Sequence, residues 1–99
     1  MKKMLEKDIE SKVCTYAEEK GLLQYKFTSP MRAAVPDRMF IVPGGKLFFI
    51  EFKREGAAPT PQQVREHARL VTWGVAVYLI DTVTDGKAVV DRYASSSSL

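Results

Sequence analysis

The stretch PDRMFIVPGGKLFFIEFK, residues 36–53, carries two strand patterns on either side of a turn. Residues 38–42 and 46–53 are rich in β-branched and aromatic side chains, and Pro43-Gly44-Gly45 between them is a hairpin signal. Strand alternation sends Phe48, Ile50 and Phe52 one way and Leu47, Phe49, Glu51 and Lys53 the other. Asp37 opens the first strand behind Pro36, whose ring cannot donate to a sheet and favours a strand start. A hairpin turning at 43–45 pairs residue 37 or 38 with roughly residue 51. Asp37 and Glu51 then meet at its open end, with Lys53 beside Glu51 on the same face.

Charges at the end of an apolar strand are costly unless paired or employed. Two adjacent carboxylates repel, and each is held back from ionising unless a cation sits between them. A hard divalent ion such as Mg²⁺ suits so oxygen-rich a site. It polarises a phosphodiester and lowers the pKa of a bound water, and Lys53 can steady developing negative charge. The competing reading is a surface salt bridge to Lys53 without catalysis.

Working outward, residues 4–20 predict an amphipathic helix through Leu5, Ile9, Val13, Tyr16 and Ala17, stopped by Gly21. Glu6 lies within its apolar arc and Glu10 at the edge, so each calls for a partner, either a basic side chain or a metal. Residues 24–28 alternate as a strand, and residues 29–36 form a loop. A second helix starts at Thr60 and Pro61, with Val64, Ala68 and Val71 as its apolar stripe and Gly74 as its end. Gln63 stands at capping-box spacing from Thr60. Residues 75–81 are nearly all apolar, as in a strand buried on both faces. Asp85-Gly86 predicts a turn, residues 88–93 a possible edge strand, and residues 94–99 a disordered tail. The order α-β-β-β-α-β implies an α/β fold with a mixed sheet flanked by helices, and residues 1–93 read as a single domain. His67 reads as a packing or surface residue, Trp73 as core, and Tyr25 and Phe27 as core or interface residues rather than base-stacking platforms.

The bulk properties narrow the class. Apolar content of 45% and charged content of 27% suit a globular domain. No stretch reaches the roughly 18 apolar residues of a membrane span. The N-terminus returns to charge at Glu6-Lys7-Asp8, which argues against a secretory signal. Cys14 is the single cysteine, so a cytoplasmic setting is the simplest. The net charge of +3 resides in residues 24–56, where Lys26, Arg32, Arg38, Lys46, Lys53 and Arg54 face Asp37, Glu51 and Glu55. A positive middle suits a polyanion such as nucleic acid.

Pro36-Asp37, thirteen intervening residues, then Glu51-Phe52-Lys53 resembles the PD-(D/E)XK nuclease superfamily. With Thr60-Pro61-Gln62-Gln63 and the closing apolar strand, roughly residues 4–81 are similar to the VRR-NUC family of virus-type replication-repair nucleases. The resemblance implies a restriction-endonuclease-like core and cleavage of DNA phosphodiesters with Mg²⁺ or Mn²⁺. It implies Asp37 and Glu51 as metal ligands, Lys53 as catalytic lysine and Gln63 as a further site residue. The helical glutamate maps to Glu10 by its distance from Gly21, with Glu6 as the fallback. Lys26, Arg32, Arg38 and Arg54 flank the site as phosphate contacts. Stand-alone viral-type members imply a homodimer acting on branched DNA such as Holliday junctions, in the cytoplasm of a viral or bacterial host cell. Such members carry a glycine shortly before Pro-Asp, where this chain has Ala33-Ala34, and Ala34 disfavours a positive φ. A non-cleaving DNA-binding or assembly module on the same fold is the alternative function.

Overall fold

The computed structural model describes residues 3–96. Along the chain run α1 (Glu6–Glu19), β1 (Leu23–Lys26), β2 (Arg38–Ile41), β3 (Leu47–Phe52), α2 (Pro61–Thr72), β4 (Ala76–Ile80) and α3 (Val83–Ser96). The strands form one sheet in the order β1-β2-β3-β4. The first two pairings are antiparallel and the third is parallel, so the sheet is mixed, as the sequence predicts. The turn joining β2 to β3 holds Gly44 at φ 101° and Gly45 at φ 98°, where a Cβ is strained.

Register does the positioning. Arg38 pairs with Ile50 and Phe40 with Phe48. One sheet face therefore carries Phe40, Phe48, Ile50 and Phe52, all fully buried against Ile9, Val13 and Ala17 of α1 and Val89 and Val90 of α3. Each such phenylalanine stabilises the fold by roughly 1.5–3 kcal/mol. The opposite face carries Phe49 and Glu51, and α2 lies over it. One step beyond the Arg38–Ile50 pair, the register sets Asp37 opposite Glu51.

Several expectations change. Residues 88–93 are not an edge strand, and Asp85-Gly86 is not a turn, because both lie inside α3. Thr82 Oγ1 accepts from the Asp85 amide at 3.1 Å and starts that helix. Val83, Gly86, Val90 and Tyr93 then recur at helical steps. Gly86 is there for contact: a Cβ on it would stand 2.4 Å from Val13 Cγ2 and 3.2 Å from Ile80 Cγ2. α3 runs to Ser96, so residues 94–96 of the expected tail are helical, and residues 97–99 lie outside the described residues.

β4 is an edge strand rather than one buried on both faces, and Leu79 remains exposed. The expected stripe of α2 is not its buried face either: Val64 is 51% and Val71 is 55% exposed. The helix instead turns Gln63, Glu66, His67 and Leu70 inward, because the sheet face beneath it carries the polar Glu51. Trp73, expected in the core, caps α2 at 77% exposure. Ala34 adopts φ 67° despite its Cβ, so the loop keeps the left-handed conformation suited to glycine at a cost of about 1–2 kcal/mol. Among the described residues no helix is long and apolar enough to cross a membrane.

Candidate active site

Asp37, Glu51 and Lys53 converge at the open end of the β2–β3 hairpin. Asp37 Oδ2 accepts from the Phe52 amide at 2.8 Å, which fixes the carboxylate against β3. The Asp37 carbonyl also accepts from the Phe27 amide at 2.8 Å, tying this residue to the chain beyond β1. Glu51 is 3% exposed. Its Oε2 accepts from Gln63 Nε2 at 3.1 Å, while its Oε1 is buried without a hydrogen-bond partner among the described residues. Burial first, and then the charge of Asp37, pushes the Glu51 carboxyl up to about 8, against the opposing pull of Lys53.

Gln63 serves two purposes at once. Its Oε1 accepts from the Thr60 amide at 2.9 Å, and its own amide donates to Thr60 Oγ1 at 3.1 Å, which completes the capping box. The remaining NH₂ then reaches Glu51. The cap that starts α2 thus aims a donor at the buried carboxylate.

The two helical acids, Glu10 and Glu6, take different partners. Glu10 is engaged elsewhere: its Oε2 accepts from Arg38 Nε at 2.6 Å, and Arg38 also donates to Gln24 at 3.0 Å. Arg38 shares the sheet face of Ile50, which α1 covers, whereas Glu51 points to the other face. Alternation therefore separates Glu10 from Glu51. Glu6, one turn earlier, is the acid that senses the cluster. Its pKa is raised by burial and next by Asp37, with Lys53 pulling the other way. Of the basic residues expected to flank the site, Arg38 is committed to Glu10. Arg32 bonds Glu66 at 3.2 Å, and Lys26 and Arg54 are exposed.

His67 is the neighbour that the sequence reading missed. Its Nε2 lies 3.7 Å from Glu51 Oε1, beyond a hydrogen bond, and has no hydrogen-bond partner among the described residues. Burial lowers its pKa. The available signal was its position four residues after Gln63, which places both on one helical face.

Among the described residues no three His, Cys, Asp or Glu side chains form a ready-made metal cage. Asp37 and Glu51 nevertheless fit a hard cation. They are oxygen donors held close together, one with a bare buried oxygen, and Mg²⁺ is commonly held by one or two carboxylates while keeping several waters.

The chain matches none of the family models. It is 43% identical over 82 residues to a protein named "Putative nuclease p44" of Acyrthosiphon pisum secondary endosymbiont phage 1, and the match spans 83% of this chain and 88% of that one. Among solved structures, a "VRR_NUC domain" superposes with a TM-score of 0.81 at 28% identity, over 89% of this chain and 96% of that one.

Proposed function

The chain belongs to the VRR-NUC family of nucleases, and on that premise we propose that it is a divalent-metal-dependent DNA endonuclease whose site is built on Asp37, Glu51 and Lys53. The observation that carries the proposal is the buried Glu51 carboxylate, with one bare oxygen, set beside Asp37 and Lys53. An acidic group with one bare oxygen in so dry a place is costly for folding alone, which favours a functional reason for it.

Asp37 and Glu51 would hold Mg²⁺ or Mn²⁺, with Glu6 in place of Glu10 as the helical acid that couples to them. When bound, the ion supplies Lewis-acid polarisation of the phosphodiester and a water acidic enough to attack. The chain's own groups do the rest. The Phe52 amide orients Asp37, and Gln63 orients Glu51. Lys53 donates to the attacking water or to the phosphoryl oxygens as negative charge builds there. Arg32, Lys26 and Arg54 contact flanking phosphates. The enzyme acts in the cytoplasm of the host cell as one nuclease domain. Branched DNA is the substrate, and a homodimer is the working form. The exposed Val64, Val71 and Leu79 on α2 and the β4 edge supply an apolar surface for a second copy.

A cleavage panel of duplex, single-stranded, flap and four-way-junction DNA tests the proposal. Mg²⁺-stimulated cutting that disappears in Glu51→Gln supports it. The second reading is a module that grips DNA without cutting. Binding without metal-stimulated cleavage on every substrate establishes that reading instead.

A further inference from the structure

The loop before β2 and the outer side of α2 enclose an open trough of about 430 Å³, lined by Met31, Arg32, Ala33, Gln62, Arg65, Glu66 and Arg69. Its walls are the elements that carry the candidate active site: the loop leads to Asp37, and α2 bears Gln63 and His67. Glu66 is 7% exposed at this trough, held by Arg32 at 3.2 Å and Arg69 at 3.9 Å. Arg65 has no ion pair among the described residues. Three arginines against one glutamate leave the trough positive.

One turn beyond Arg69 stands Trp73, the single tryptophan of the chain, 77% exposed. At about 100° per residue, Trp73 lies about 40° around the helix from Arg69 and about 160° from Val71. It belongs to the arginine side, not to the exposed valine stripe. From Arg65 to Trp73 the helix rises about 12 Å. Cations that track a backbone, followed by a bare aromatic face, form the arrangement on which single-stranded nucleic acid is held. A blunt duplex keeps its bases stacked inside and offers no base to Trp73.

We propose that the Arg32–Arg65–Arg69 trough carries the sugar-phosphate backbone of the substrate and that Trp73, about 15 Å along α2 from Gln63, stacks on an unpaired DNA base at that distance from the cleavage site. The inference rests on the nuclease reading and refines it. The enzyme selects DNA with unpaired nucleotides on one side of the scissile phosphate, about the length of α2 away, and it does so without reading sequence, since every base offers a π face.

The test uses full-length protein carrying Lys53→Ala, in Mg²⁺ at low salt. It is titrated with a duplex bearing a 5′ or 3′ single-stranded tail and with the same duplex blunt-ended. Binding is followed by anisotropy of labelled DNA and stacking by Trp73 fluorescence. The expected result is quenching by a tailed DNA only, with tighter binding of it than of the blunt DNA. Adding Trp73→Ala weakens tailed binding about tenfold and leaves blunt binding unchanged, whereas Trp73→Phe retains most of the difference. Arg65→Ala and Arg69→Ala weaken both DNAs alike and flatten the salt dependence. Anisotropy reporting tailed binding with unchanged fluorescence overturns the stacking proposal while sparing the nuclease reading. Failure to bind either DNA overturns both.

Discussion

Gln63 Nε2 donates to the buried Glu51 carboxylate at 3.1 Å, so the residue that caps α2 also fixes the acid on β3. Helix start and site geometry are therefore one device. Gln63→Ala removes both, and the expected loss is about 1 kcal/mol of stability from the broken cap. Metal affinity or cleavage falls about 10- to 100-fold, as for other groups that orient a ligand. Thr60→Ala breaks the cap but leaves the Glu51 contact its donor. Thermal melts and cleavage rates on the two variants separate the roles: both lose stability, and only Gln63→Ala loses most of its activity.

The Glu51 carboxyl has a pKa of about 8 in the fold against 4.5 for an ordinary glutamate. The folded value is the higher one, so the contribution of the protonated form is complete below about pH 4.5 and is lost as pH rises through about 8. Without divalent metal, the wild-type melting temperature should fall across that window relative to Glu51→Gln. The comparison matters because His67, whose pKa burial lowers, works in the opposite direction. Mg²⁺ competes with the Glu51 proton, so the stabilisation it gives should grow from pH 6 to pH 8. A Mg²⁺ shift that is equal at both pH values contradicts this coupling.

Gly86→Ala should destabilise, although alanine is the better helix former by about 1 kcal/mol. The new Cβ would meet Val13 Cγ2 at 2.4 Å, which forces α1 and α3 apart. The expected net loss is about 1–3 kcal/mol, read as a lower denaturation midpoint. Val13→Ala in the same chain should recover part of it.

Glu6→Gln and Glu10→Gln should part company. Glu6 is the acid coupled to Asp37 and Lys53, so neutralising it should slow cleavage. Glu10→Gln weakens the half-buried contact with Arg38, and its effect should appear in stability rather than rate. Cleavage and melting measurements on both proteins decide between them, and equal activity losses would contradict the assignment.

The hairpin, the pairing of Asp37 with Glu51, the capping box and the mixed sheet were legible because each follows from short-range rules: alternation, turn chemistry and cap spacing. The Arg38 partner of Glu10 was not legible, because a helical wheel shows which residues face inward, not which face of the sheet they meet. Arg38 alternates to the α1 side and takes Glu10 with it. The third helix was missed because Asp85-Gly86 carries a turn signature, while the reason for Gly86 is a close approach to Val13, seventy-three positions away. Trp73 and the valines of α2 were expected inside because they are apolar. The structure exposes them because the sheet face beneath α2 is partly given to Glu51 and its neighbours.

The most direct measurement is the initial rate of branched-DNA cleavage by wild-type, Asp37→Asn and Lys53→Ala proteins, with Mg²⁺ and with the metal chelated. The account predicts cutting by wild type only when metal is present. It also predicts a loss of about 10²-fold or more in each variant, with folding unchanged by circular dichroism. Variants that cut as fast as wild type, or cleavage that survives chelation, would contradict it.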